Sequence, residues 1–320
     1  MKIKNWPVLS FEKAKDTYMT IHLWTQILGK IKIKRLPWIN HSWHVTLYVT
    51  PEGLTTRNIP YDDKHVEINF DFLQHQLHIR TSNNAERKFA LEGLSVAAFY
   101  KNLMDNLNEM GIHVTINQTP NELEEVVPFQ EDDAHNTYFP KHASDLHLAF
   151  LNANEIFMEF RSRFTGKCSP VHLFWGSFDL AVSRFSGEKA PLHPGGVPHL
   201  PDWVAQEAYS HEVYSCGFWP GNEAVPFAAF YAYIYPEPAE FCEVRTEGKK
   251  YFYVKISANI CFRTAKCKNP MIPLKWFSIS FRRLMKPRQN WLNGIGKNWR
   301  NNIITCLHTP LMATDERFEF

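Results

Sequence analysis

The sequence has no run of about 18 apolar residues, the least that a membrane-spanning helix needs, and its first seven residues, MKIKNWP, lack the apolar stretch of a secretion signal. These absences predict a cytoplasmic protein with no membrane partner. Cysteine is sparse, six in 320 residues, with only Cys168 and Cys216 ahead of residue 242. That supply predicts free thiols rather than a disulfide framework. No HExxH, HxH or Cys-pair spacing occurs, so no ready-made metal motif is present. Disordered and collagen-like classes are excluded by what is there, 44% hydrophobic and 14% aromatic residues, ample for a sizeable core.

Acidic residues are also missing in one place, between Gly248 and Thr314. Residues 1–247 hold 21 basic and 30 acidic side chains, a net −9, while residues 248–320 hold 14 basic and three acidic, a net +11. A body at −9 repels phosphate, so nucleic acid is not an expected partner unless the tail alone supplies the contact. The composition break suggests another origin for the tail. Back-translated with suitable synonymous codons and read one nucleotide earlier, Leu284–Arg300 (LMKPRQNWLNGIGKNWR) gives YEAAAKLAEWDRKELE, a helical string of mixed charge. The expectation is that the reading frame is lost near Phe241 or Cys242, leaving one domain over 1–241 and an atypical basic tail over 242–320.

Residues 1–241 alternate between helix and strand patterns. Ser10 precedes Ala14, Tyr18, Ile21, Thr25 and Leu28 at helical spacing, and Gly29 follows, which predicts a helix over Ser10–Leu28. Lys30–Lys34 alternates, as do Trp43, Val45, Leu47 and Val49, then Val66, Ile68, Phe70 and Phe72, and Leu77 and Ile79, so strands are predicted there. A second helix is read from Val96 to Met110, closed by Gly111 and followed by alternating Ile112, Val114 and Ile116. A third runs over about His142–Phe164. Pro170–Leu180 is apolar on both parities and predicts one central strand; Phe227–Tyr235 predicts another, with Tyr231, Tyr233 and Tyr235 on one face. Together these give an α+β fold, a mixed or mostly antiparallel sheet with helices mainly on one side.

Several motifs are specific enough to compare with a known family. NWPVL at Asn5–Leu9, HLWTQILGK at His22–Lys30, NHSWH at Asn40–His44, GLTT at Gly53–Thr56 and FDFLQHQL at Phe70–Leu77 lie in the first third. GKCSPVHLFWGSFDLA at Gly166–Ala181, RFSG at Arg184–Gly187, EAYSHE at Glu207–Glu212, GFWPG at Gly217–Gly221 and YPEP at Tyr235–Pro238 follow. Together they resemble the bacterial family called domain of unknown function 5996, over about residues 5–241. The resemblance implies a fold and a motif map, and it implies no activity and no cofactor.

Two familiar nucleotide and hydrolase motifs fail. Gly166-Lys167 lacks the glycine five residues earlier, where Arg161 stands, and Pro170 follows instead of a helix, so no phosphate loop is formed. Gly176-Ser177 lacks the second glycine of a nucleophile elbow. Histidine is more informative, since 14 of 15 lie in the acidic body. A mononuclear metal site could draw on His44, His172, Asp71 and His75; His172 and Asp179 could equally be hydrogen-bonded core groups, Asp179 pairing with Arg184 or Lys167. An acid–base set would use His211 with Glu207, four residues apart on a helix, together with Asp179 and Arg184. Trp175, Trp219 and Tyr231 would supply the walls for a flat cofactor or ligand. The expected function is a soluble enzyme acting on a small organic molecule in an aromatic, histidine-lined cleft where these polar residues converge. Non-catalytic binding of a small ligand in the same cleft is the alternative.

Overall fold

Helix α1 covers Phe11–Arg35 and is buried on every side from Thr20 to Lys32, polar residues included. It runs six residues beyond Gly29, where a stop is predicted. Gly29 is there for close approach: a Cβ on it would stand 2.0 Å from Trp175 Nε1. The helix ends instead at Leu36, whose extended backbone (ψ 145°) is the conformation required before Pro37. The predicted strand Lys30–Lys34 is therefore helix, because packing overrides a short local alternation.

The computed structural model describes residues 6–197 and 199–237, and the backbone of Tyr251–Val254 and Asn259–Arg263. The rest of the predicted tail over 242–320, including the stretch with the alternative reading frame, lies outside the described residues. Within them the fold is α+β, with two antiparallel sheets where one is predicted. The first sheet has β1 (Tyr48–Val49), β2 (Gly53–Thr55), β4 (Lys64–Asp71), β5 (Gln76–Thr81) and β6 (Glu86–Ala90) in that order, with β3 (Ile59–Tyr61) paired to β4. The alternation read from Val66 to Ile79 gives β4 and β5, whose Ile68 and Ile79 are partners on the buried face.

Helices α2 (Val96–Glu109) and α3 (Pro140–Ser162) separate the sheets in sequence. Ser95 caps α2 by accepting from the Ala98 amide at 3.0 Å, and Gly111 closes it at φ 70°. Ile112–Ile116, alternating in sequence, forms no strand. Of the α3 stripe predicted over Leu146, Ala149, Ala153, Phe157, Phe160 and Phe164, the first five are buried, while the helix ends at Ser162 and leaves Phe164 half-buried beyond it.

The second sheet comprises β7 (His172–Phe174), β8 (Asp179–Lys189), β9 (His211–Trp219), β10 (Ala229–Tyr235), β11 (Tyr251–Val254) and β12 (Asn259–Arg263), in the order β11-β12-β10-β9-β8-β7. Helix α4 (Asp202–Ala208) lies between β8 and β9. The predicted central strand Pro170–Leu180 is a hairpin: Gly176 and Ser177 turn the chain, Phe178 takes φ 56°, and Phe174 pairs with Asp179. The predicted strand around Trp43 shrinks to β1, because His41 and Ser42 are both left-handed (φ 60° and 55°) and Asn40–Val45 coils into 3-10 turns. Leu47 joins the sheets, exchanging two backbone hydrogen bonds with Leu173 at 3.0 and 2.8 Å. Residues of both sheets and of α1, α2 and α3 share one apolar cluster.

Candidate functional site

Three polar side chains interrupt the apolar interior of α1 at four-residue spacing: His22, Gln26 and Lys30. That spacing puts all three on one face. His22 Nε2–H donates to the Gly176 carbonyl at 2.9 Å, and its ring stacks on Phe178 at 5.0 Å, so it fixes the β7–β8 turn. Burial holds its pKa down at about 4, so it is neutral. Gln26 clamps the loop before the 3-10 turn Phe129–Glu131: its Nε2 donates to the Asn121 carbonyl at 3.0 Å and its Oε1 accepts from the Asn121 amide at 2.8 Å. Lys30 Nζ donates to Asn121 Oδ1 at 2.5 Å, and burial lowers that amine to about 8.

The loop so held delivers Glu122, which is left-handed at φ 59°. That conformation costs roughly 1–2 kcal/mol for a residue with a Cβ, and it persists because the flanking contacts define it. The Glu122 carboxyl lies directly over Gly176, where a Cβ would stand 1.8 Å from Oε1. Only glycine leaves room for it.

Across the turn, Asp179 is buried at 5% exposure. Its Oδ1 accepts from Ser177 Oγ at 2.5 Å and its Oδ2 from the Tyr231 hydroxyl. Tyr231 and Tyr233 stack at 6.1 Å with rings 12° apart, and the Tyr233 hydroxyl meets that of Tyr209 at 2.9 Å. Glu122, Tyr209, Tyr231 and Tyr233 are half-buried and Ser177 is exposed, so the cluster reaches solvent. Burial, then the charge of Asp179, raises Glu122 from its ordinary 4.5 to about 7. Burial also raises Asp179, against the pull of its Ser177 and Tyr231 hydrogen bonds. The two carboxyl groups differ in hydrogen bonding: Asp179 has two hydroxyl donors that work against its burial, while at Glu122 burial and the neighbouring Asp179 act together.

Of the residues singled out from sequence, Asp179 and Tyr231 meet in this cluster. The others do not converge. Arg184 donates to the Phe160 carbonyl and stacks on Phe160 at 3.4 Å, so it is not the partner of Asp179. His211 is exposed at the start of β9, bonded to Ser210 Oγ at 3.1 Å, and α4 ends at Ala208, so Glu207 and His211 share no helix face. Glu207 accepts instead from the His41 amide at 2.9 Å. Trp175 is a core residue whose Nε1 donates to the Val45 carbonyl at 3.0 Å, and Trp219 ends β9 half-buried. His44 Nδ1 accepts from the Ile39 amide at 3.2 Å; His172 Nδ1–H donates to the Pro170 carbonyl at 2.8 Å. Asp71 Oδ1 caps a turn through the Leu73 and Gln74 amides at 2.9 and 2.8 Å, and His75 Nδ1 bonds the Tyr138 hydroxyl at 2.9 Å. Among the described residues, no three His, Cys, Asp or Glu side chains are placed to hold a metal ion.

Sequence reasoning missed Glu122, Tyr209 and the α1 face. The α1 face had a signal, since polar residues at i, i+4 and i+8 inside HLWTQILGK mark one stripe of a buried helix. Glu122 had none, because its loop carries no periodicity.

Among the described residues no helix is long and apolar enough to cross a membrane. No curated protein and no solved structure matches the chain. The model of a family of unknown function, DUF5996, matches residues 6–270, most of the chain, and so runs past the last quoted motif at Pro238 and past Phe241. By that match the chain belongs to the family of unknown function DUF5996.

Proposed function

We propose that the protein is an enzyme that acts on a small organic molecule by proton transfer, with Glu122 giving and retaking the proton. The observation that carries this reading is the pairing of an acid poised at about 7, Glu122, with a second carboxyl, Asp179, held by Ser177 and Tyr231. A general acid works best with a pKa near the operating pH, and raising a carboxyl by burial and a like charge is how proteins arrange it. The stacked Tyr231 and Tyr233 rings form a wall against which a substrate can lie. The same wall would also serve a non-catalytic binder, which is the competing reading.

The test compares wild-type protein with Glu122→Gln, each incubated with a mixture of cellular metabolites and followed by mass spectrometry. The expected result is one compound consumed in many-fold excess over wild-type protein and left untouched by the variant. Recovery of an unchanged compound at one per protein, equally with both proteins, would make this a binding protein. Turnover that survives in Glu122→Gln would remove Glu122 from the chemistry.

A further inference from the structure

We infer that the molecule taken at this site is an organic cation: an amine, amidine or guanidine carrying a flat or apolar body. The inference rests on the acid–base reading of the same residues and names the substrate class for it.

Its basis is the charge left without an opposite partner. Neither Glu122 nor Asp179 makes an ion pair with a described residue, and no described cation contributes to the shift of either. Among the described residues, Lys30 apart, the neighbours on the packed elements are neutral or acidic. From α1, His22 is neutral, and Lys30 is turned to Asn121 Oδ1, between the rings of Phe129 and Trp175 at 6.0 and 5.9 Å. The hairpin supplies Ser177 and Asp179 itself. From β10 and the end of α4, Tyr231, Tyr233 and Tyr209 keep their protons, because burial raises all three and Asp179 adds to the rise.

Glu122 adds a second kind of observation. The protein surrounds its carboxyl closely enough for burial to dominate its titration, yet Glu122 accepts no hydrogen bond from any described residue. Both Asp179 oxygens, by contrast, are engaged. A donor is therefore wanted at Glu122, and the surrounding field favours a positively charged one. The parallel tyrosine rings beside Asp179 suit the same ligand, since a cation is attracted to an aromatic face and an apolar body packs on it. An anion would meet two carboxyls here and no compensating charge among the described residues.

The test uses benzamidine as the probe, with neutral benzamide and anionic benzoate of similar shape as controls, by titration calorimetry at pH 6.5 in two buffers of different ionisation heat. Benzamidine is expected to bind and to expel roughly three-quarters of a proton, the share Glu122 holds at that pH when poised at about 7. Glu122→Gln should weaken binding about 10- to 100-fold and abolish the proton release. Tyr233→Ala, which leaves both carboxyls in place, should weaken binding several-fold and keep the release. The inference is overturned if benzamide or benzoate binds as tightly as benzamidine, or if benzamidine shows no binding at millimolar concentration. The carboxyl resonance of Glu122, titrated by NMR without any probe, keeps the two readings apart. A midpoint near 7 with no benzamidine binding sinks the cation alone, while a midpoint in the ordinary carboxylate range removes the acid–base reading too.

Discussion

Replacing Glu122 by Gln should make the folded protein more stable at neutral and alkaline pH. The carboxyl titrates at about 7 when folded against an ordinary 4.5. Folding therefore favours the protonated form: its full benefit is present below pH 4.5 and is lost as pH rises through 7. A displacement of that size, at 1.36 kcal/mol per pH unit, corresponds to a loss on the order of 3 kcal/mol at pH 8, an upper bound for a half-buried group. Gln keeps the shape and cannot ionise. Wild type and variant should therefore have similar stabilities near pH 4, separate between pH 5 and 7, and differ at pH 8 by up to roughly 6–12 °C in melting temperature. Urea titrations at pH 4, 6 and 8 would measure this directly. Parallel pH profiles, with the variant within about 0.5 kcal/mol of wild type throughout, a spread ordinary for surface substitutions, would show that the carboxyl is not desolvated. A gain in stability together with a loss of turnover is the usual signature of a residue kept for function.

Gly176→Ala places a methyl group where Glu122 Oε1 now lies, so it should displace the Glu122 side chain and return its NMR midpoint toward the ordinary carboxylate range; an unmoved midpoint would show that the two groups do not touch. Gln26→Ala removes the partners of both Asn121 backbone groups, and each unsatisfied group costs about 1–3 kcal/mol. Denaturant unfolding should register that loss, and a change below about 0.5 kcal/mol would mean water replaces the clamp. The nucleotide sequence over codons 238–300 should contain a slipped or missing base; an intact reading frame there rejects the frame-loss account of the basic tail.

What could be read from the sequence was periodic. The stripes of α2 and α3 and the alternation of β4, β5 and β10 each follow from side chains that face one core. The errors lie where long-range packing or unusual backbone prevailed. Gly29 looked like a helix stop but lets Trp175 approach α1. Trp43–Val49 looked like a strand, but the left-handed pair His41 and Ser42 coils its first half. In the site, Asp179 and Tyr231 were visible as polar or aromatic residues in apolar strands. Glu122 was invisible, since its importance comes from Gln26 and Gly176, 96 and 54 residues away in the chain.

From Thr20 to Lys32, thirteen consecutive residues of α1 are buried, more than three full turns. A helix lying on the outside of a protein has a solvent side where substitutions cost little. This stretch has none, so sequence drift there is restricted around the whole circumference, for the polar His22, Gln26 and Lys30 as much as for Trp24 and Ile27. The residues that orient the candidate site thus sit in the segment least free to vary, and a change that improves the packing of α1 also resets the geometry of the chemistry attached to it.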